Sequence, residues 1–434
     1  MNTIDSGQRP VRGATALQTG RLPRLLPERF GGGPASLAEH VARYGRLPRG
    51  WDGPWREQLI AEAGRAGLTG RGGAGFPTAR KLATVAAGRD APVVIANGTE
   101  GEPASAKDKV LLACAPHLVL DGAVLAAHLV GAGQAIVVVH DAVREVVDGA
   151  AAERRQARLD QIKVKVMTGA DRFVGGEATA LVNWVAHGIP LPTATPPRVS
   201  ESGLHGRPTL VQNVETLAHL ALLARWGARW FRSLGTPAEP GSMLVTLIGA
   251  VHQPGVREIE IGMPVSDVLG LAGGPAVPLG ALLIGGYFGT WADPAVAGAL
   301  PFSAEGLSAI GGSPGAGLVA ALPADVCGLA ETARIARYLA GESAGQCGPC
   351  VFGLGSMASA LEDLAAGHSY QPGQLRRWMA QVEGRGACHH PDGAVRMVRS
   401  ALAVFGAEID RHAQGWCCGC RPPGVLPVPL RRTP

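Results

Sequence analysis

Three short β-branched runs, PVVIAN (92–97), AIVVVH (135–140) and IKVKVM (162–167), are set apart by the helical stretches HLVLDGAVLAAHLVGA (117–132) and AVREVVDGAAAERRQ (142–156). An amphipathic stretch, WREQLIAEAGRAGLTG (55–70), precedes them. Segments of strand period and helix period in alternation leave few architectures open, and they argue for an α/β sheet with helical cover. At 434 residues the chain exceeds one core, and two to four domains are expected.

The pattern then changes along the chain. The sequence predicts an irregular arm over 1–49, the α/β domain over 50–235 and a compact module of short strands, a Pro-Gly turn and one helix over 241–290. A helical domain over 325–413 and a Cys/Pro-rich tail over 414–434 follow. The formal net charge of +5, from 40 Lys+Arg against 35 Asp+Glu, is too mild and dispersed for a nucleic-acid footprint. No apolar run suits a signal peptide or a transmembrane helix, so a cytoplasmic protein is expected. In a reducing compartment, clustered cysteines read as metal ligands rather than disulfides.

Three loops carry ligand-binding chemistry. GLTGRGGAGFPTARK (67–81) contains Gly70-x-Gly72-x-x-Gly75, but a helix rather than a strand precedes it, so it is not a Rossmann turn. Its glycines let backbone N–H groups approach a phosphate or a flat ring, and Lys81 offers a cation; a plain glycine-rich turn is the alternative. VVIANGTEGEPASAKDK ends a strand on Asn97 and presents Glu100, Glu102, Lys107 and Asp108. VGGEATALVNWVAHG and GRPTLVQNVETLAHL set further polar residues at helix starts. In the helical region, GESAGQCGPCV (341–351) places Cys347 and Cys350 at metal-ligand spacing, and Cys388 stands 38 residues after Cys350.

The ordered series GRGGAGFPT, N-x-x-E-x-E-P, GGE-x-TAL, SG-x-x-G-x-PT-x-x-x-NVETL and ES-x-GQC-x-PC resembles the flavin-binding subunit of respiratory complex I and of related NAD-linked hydrogenases and formate dehydrogenases. The resemblance runs from about Arg49 to His412. It implies a Rossmann-like FMN-binding domain, a small β-grasp (soluble-ligand-binding) domain and a C-terminal helical bundle carrying an iron–sulfur site. It also implies FMN and nucleotide contacts at Gly70, Arg71, Gly72, Gly75, Phe76, Lys81, Asn97, Glu100, Gly176, Glu177, Arg198, Asn213 and Thr216. Glu102 is implied to position the nicotinamide, and the β-grasp module to serve as a structural spacer.

This chain departs from the family at several places. Thr99 stands where Asp is usual, Thr84 and Arg198 replace phenylalanines that hold the adenine, and Ala178 replaces a second Glu. The resemblance therefore leaves NADH, NADPH or no nicotinamide open. Family members bind a [4Fe–4S] cluster through C-x-x-C-x-x-C and a distant fourth Cys, and here the first position is Ala344. Cys347, Cys350 and Cys388 remain as metal ligands. The vacancy could fall to His389, His390, Cys327, a tail cysteine (Cys417, Cys418 or Cys420) or an external ligand, and the centre could be [4Fe–4S], [3Fe–4S], zinc or absent.

The function implied is an FMN-dependent subunit that oxidises NADH or NADPH and passes single electrons through an iron–sulfur centre. Its partners would be electron-transfer subunits, such as a [2Fe–2S] thioredoxin-like subunit or a ferredoxin, in the cytoplasm or at the periphery of a membrane complex. The alternative is a relay or scaffold subunit that exchanges electrons with a ferredoxin-like partner and oxidises no nucleotide.

Overall fold

The computed structural model describes residues 20–27, 33–48, 53–368, 372–414 and 423–429. The tail cysteines Cys417, Cys418 and Cys420, and most of the N-terminal arm, lie outside these residues. The helices used below are α1 (Leu37–Tyr44), α2 (Pro54–Ala66), α3 (Thr78–Ala86), α4 (Lys107–Cys114), α5 (Pro116–Val130), α6 (Arg144–Gln156), α7 (Ala178–His187) and α8 (Val214–Phe231).

Four parallel strands form the first sheet: β1 (Val93–Gly98), β2 (Gln134–Val139), β3 (Lys163–Thr168) and β4 (Thr209–Asn213), in the order β3-β2-β1-β4. The first three are the runs expected from sequence. The fourth, TLVQN, reads in sequence as part of a polar loop, because five residues ending in Gln-Asn give too short an apolar signal. Strands β1 and β2 are buried almost throughout, as a sheet covered on both faces requires. Pairing of Asn97 with Asn213 puts both side chains at the carboxyl edge, where open α/β sheets hold ligands.

Helix α5 is buried on nearly all sides and packs against α8. At Gly122 the two backbones meet: a Cβ there would lie 2.0 Å from the carbonyl oxygen of Leu217. Asp121 fastens the same pair of helices, accepting from Arg225 on α8, from Arg154 on α6 at 2.8 Å and from His40 on α1 at 2.8 Å. Burial alone would raise this carboxyl, but the His40 hydrogen bond and the two guanidinia hold it well below the usual range.

The second sheet has five strands: β5 (Ser242–Gly249), β6 (Gly255–Glu260), β7 (Leu279–Ile284), β8 (Thr290–Ala292) and β9 (Leu318–Pro323), in the order β6-β5-β9-β7-β8. Strands β5 and β9 run parallel, and the other pairs are antiparallel. The central strand β9, LVAALP, thus comes from beyond the segment 241–290; all six of its residues are buried.

Four helices follow that carry the cysteines: α9 (Gly328–Gly341), α10 (Gly355–Ala365), α11 (Pro372–Val382) and α12 (His390–Val404), with a wide helical turn at Pro349–Leu354 leading into α10. Residues 423–429 strap back over them. Gly424 and Leu426 donate backbone N–H groups to Glu331 at 2.8 and 2.7 Å, and Tyr287 donates its hydroxyl to the Pro427 carbonyl at 2.6 Å. Among the described residues no single helix is long and apolar enough to cross a membrane, although the bent pair α4–α5 passes by length and composition.

Candidate functional site: three loops at a sheet edge and a cysteine turn

The glycine loop is pinched shut by hydrogen bonds from Gly70 N to Phe76 O and from Thr78 N to Leu68 O, both 2.9 Å. Gly73 and Gly75 have φ of 107° and 60°, which favours glycine at both positions. A Cβ on Gly72 would approach the Asn213 side chain to 3.3 Å, so the loop presses against the β4–α8 junction. The Arg71 amide donates to Thr216 Oγ1 at 2.8 Å, and its buried guanidinium donates to Thr69 Oγ1 and to the Pro240 carbonyl. Arg71 therefore anchors the loop from behind, through its side chain. Lys81 donates to the Val211 carbonyl at 3.0 Å and forms no ion pair among the described residues; burial lowers its pKa. Phe76 lies beneath both Arg80 and Lys81, each 5.9 Å from the ring centre.

The second loop leaves β1. Asn97 donates to the Gly176 carbonyl at 2.9 Å and accepts from the Thr99 hydroxyl at 2.8 Å, so the residue found in place of the usual Asp holds Asn97 in its rotamer. A Cβ on Gly176 would meet Thr99 Oγ1 at 3.2 Å, and one on Gly101 would meet the Phe173 carbonyl at 2.6 Å. The Asn97 and GGE loops therefore touch backbone to backbone.

The carboxylates in these loops have different roles. Glu100, at φ 47°, accepts from the Ser105 hydroxyl at 2.6 Å and from the amides of Asp108 and Lys109 at 3.0 Å each, securing the first turn of α4. Glu177 caps α7 by accepting from the amides of Thr179 and Ala180, both at 2.9 Å. Both were expected to touch cofactor; Glu100 uses both oxygens on the protein's own groups, whereas Glu177 uses only Oε2. Glu102 is different. It is half-buried in the cleft and accepts from Tyr287 N at 2.7 Å and from Ala104 N at 3.2 Å. Burial dominates and raises it to about 7 despite those two donors. The β-grasp module thus reaches the cleft through Tyr287.

The third loop supplies Asn213 and Thr216. Asn213 caps α8 by accepting from Glu215 N at 2.9 Å and donates to Asp108 Oδ2 at 2.7 Å. Behind it lies a charge cluster that sequence reasoning missed: Lys107 donates at 2.8 Å to both Asp108 and Glu215, and Glu215 accepts from Leu244 N at 2.8 Å. All three side chains are buried, and burial, partly offset by Lys107, raises Asp108 to about 6. A Lys-Asp pair at a helix start, together with a Glu just inside another, was the only signal available. Arg198 is exposed, and only its backbone is held, by Glu201.

These features suit FMN. A half-buried ammonium with no carboxylate partner among the described residues, on the helix that follows a loop of closely spaced glycines, calls for an anion such as a phosphate.

The cysteine site is built around a turn in which Cys350 N and Val351 N donate to the Cys347 carbonyl at 3.1 and 3.0 Å. Burial, reinforced by the neighbouring Cys347 and Cys388, pushes the Cys350 thiol up to about 12, and burial raises Cys388 as well. Among the described residues no cation stands out as acting on the Cys350 or Cys388 thiol to favour its thiolate. A donor set of three thiols fits an iron–sulfur core, whose own charge performs that function. No three His, Cys, Asp or Glu side chains among the described residues converge closely enough to share a single metal ion.

The GGE loop is tied to the segment bearing Ala344. Phe173 N donates to Glu342 at 2.9 Å, and Arg172 reaches both Glu342 and the Ser343 carbonyl. Cys327 lies elsewhere, at the start of α9, with Sγ 3.5 Å from His412 Nε2 and 3.4 Å from a Glu408 oxygen.

Three family models match in chain order. The Nuo51 FMN-binding domain matches residues 63–222, the SLBB domain 244–283 and the NADH-ubiquinone oxidoreductase-F iron-sulfur binding region 330–412. The chain is 30% identical over 384 residues to the F-type subunit of NADH-quinone oxidoreductase of Streptomyces coelicolor, covering 83% of this chain and 84% of the relative. It is 28% identical over 395 residues to the second F-type subunit of the Rhizobium meliloti enzyme, covering 83% and 90%. Among solved structures, a chain of an NAD+-reducing [NiFe]-hydrogenase in the H2-reduced state matches with a TM-score of 0.77 at 32% identity. That match covers 82% of this chain and 63% of the hydrogenase chain.

Proposed function

The chain belongs to the family of F-type subunits of NADH-quinone oxidoreductase, and on that premise we propose that it is an FMN-dependent protein that oxidises NADH and delivers electrons singly, through an iron–sulfur centre, to a partner protein. The observation that carries this reading is the meeting of the three loops at the carboxyl edge of the first sheet, with Lys81 unpaired beside them.

Bound there, FMN would accept the two electrons of a hydride and release them one at a time. The protein's part is to bind and orient. Amides of Gly72–Gly75 and the Lys81 ammonium would hold the phosphate, and Asn97, Asn213 and Thr216 fix the loops against each other. Glu102, braced by the amides of Tyr287 and Ala104, would meet the nicotinamide carrier from the β-grasp side of the cleft. Cys347, Cys350 and Cys388 would hold the iron–sulfur centre.

The nucleotide need not be NADH alone. Ala178 stands in place of a carboxylate, so that loop carries one negative charge fewer to repel a 2′-phosphate, which favours NADPH as a second substrate. The exposed Val351 and Phe352, 49% and 74% accessible beside Cys350, support docking of an electron-transfer subunit or a ferredoxin at the cysteine turn. A cytoplasmic position, peripheral to a membrane complex, belongs to the same proposal.

The test is anaerobic purification of the whole chain, followed by its visible flavin spectrum before and after addition of NADH or NADPH. Bleaching by either nucleotide supports the proposal. A bound flavin that neither nucleotide bleaches would overturn it in favour of a relay subunit.

A further inference from the structure

Ala344 leaves the cysteine site one ligand short, and the structure discriminates among the described residues able to supply it. The thiol of Cys327 is occupied at the start of α9 with Glu408 and His412. The His389 side chain is 99% exposed and faces Asp392 at 3.5 Å, on the solvent side of α12. His390 differs from both. Only 3% of it is accessible, and its Nε2 lies 2.8 Å from the Leu339 carbonyl, near the end of α9.

A carbonyl only accepts, so Nε2 carries the ring proton and donates it. The lone pair is therefore on Nδ1, and Nδ1 is buried with no hydrogen-bond partner. A buried acceptor left unmatched is unfavourable unless something outside the protein chain matches it. One ring nitrogen pinned by a backbone carbonyl, with the other bare, is the arrangement of a histidine ready to bind metal.

Its surroundings lie next to the vacancy. The His390 amide hydrogen-bonds Cys388, one of the three cysteines. The ring packs edge-on against Phe173 and Phe288, at 5.6 and 5.2 Å between centres, and the charges that act on it are Glu342 and Arg172. Glu342 stands two residues before Ala344, and Arg172 binds the carbonyl of Ser343, the residue adjoining Ala344.

We infer that His390, through Nδ1, is the fourth ligand of the iron–sulfur centre, in place of the thiolate absent at Ala344. The inference rests on the proposed function, since it concerns the cluster that reading assigns to this turn. A cube of four irons takes its ligands at separate corners, so it does not need the close convergence that a single ion demands. A neutral imidazole in place of a thiolate leaves the cluster one negative charge less, which makes it easier to reduce than an all-cysteine cluster in the same pocket.

The experiment uses the full chain, purified anaerobically and reduced, from cells grown with unlabelled or 15N-labelled histidine. Pulsed EPR of the wild type should show one strongly coupled nitrogen that changes isotope with the label. His390→Leu keeps an apolar side chain between the phenylalanines; it should lose that coupling and convert to a three-iron cluster, about one iron in four lost. The double variant Ala344→Cys/His390→Leu should recover four irons without the nitrogen coupling. A wild-type cluster with no directly bound histidine nitrogen overturns the inference, and needs no variant to fold. So does His390→Leu with an unchanged spectrum and iron content. Both results leave the proposed function standing, whereas a wild type that holds neither iron–sulfur nor flavin overturns the two together.

Discussion

Replacing Glu102 with Gln should leave the cofactor-free chain about as stable as wild type near pH 4 but make it more stable near pH 8. Burial raises this carboxyl to about 7 from an ordinary 4.5, outweighing the Tyr287 and Ala104 amides that favour the anion. An acid with a folded-state value above its unfolded one binds its proton more tightly when folded, so stability falls as the pH climbs from about 4.5 through about 7. The gap is worth roughly 3 kcal/mol, at about 1.36 kcal/mol for each tenfold difference in proton affinity. Gln resembles the protonated acid: each offers one acceptor and one donor group to two N–H groups, so the two forms share the same imperfect pairing at low pH. With an unfolding entropy near 2.1 cal/mol/K per residue over some 430 residues, the difference at pH 8 amounts to about 3 °C in melting temperature. Scanning calorimetry of both proteins at the two pH values measures it. A difference that is the same at both, or that favours wild type at pH 8, would refute the assignment of Glu102 as a carboxyl dominated by burial.

Three further outcomes are expected. Gly72→Val places side-chain atoms where a Cβ already comes within 3.3 Å of Asn213, so the purified variant should lose its flavin absorbance while keeping a wild-type circular dichroism spectrum. Lys107→Met strips the cation from two buried carboxylates and should destabilise the fold by about 3–5 kcal/mol, read from the denaturant midpoint of its first transition. Ala178→Glu introduces a carboxylate at the start of α7 and should lower kcat/KM for NADPH relative to NADH by about tenfold, the value of about 1.4 kcal/mol of repulsion; an unchanged ratio would remove Ala178 from nucleotide selection.

How much could be read from sequence depended on how local the determinant was. The three long β-branched runs and the glycine loop stand out because each carries its signal within a few consecutive residues. Strand β4 gave too few residues for a period, and β9 lay some seventy residues from the strand it joins, so neither could be placed without the sheet. Glu100 and Glu177 illustrate a different limit. A carboxylate next to a glycine loop reads as a ligand contact, but spacing does not convey that both also accept from backbone amides at helix starts. Conversely, Tyr287 gave no sign of belonging to the cleft, because its contribution is a backbone amide, which every residue but proline possesses. The bare Nδ1 of His390 depends on where Leu339 presents its carbonyl, a long-range matter that spacing alone does not convey.

The close approach at Gly122 has a bearing on how the cleft can move. Helix α8 begins with the residues that line one side of the cradle, and one turn in, its backbone is wedged against α5; farther along, Arg225 grips Asp121. Two helices joined at backbone contact have no slack in which to slide, because a displacement of even half an ångström would drive Leu217 into the α5 backbone. The wall carrying Asn213 and Thr216 is thus fixed. The opposite wall meets Glu102 through the Tyr287 amide, while the β-grasp module is tied to the first domain deeper in by Leu244 N on Glu215 and by Ala106 N on the Thr246 hydroxyl. Any give in the cleft must therefore come at the Tyr287 turn rather than at the sheet edge, and the charge on Glu102 determines how firmly that one amide is held.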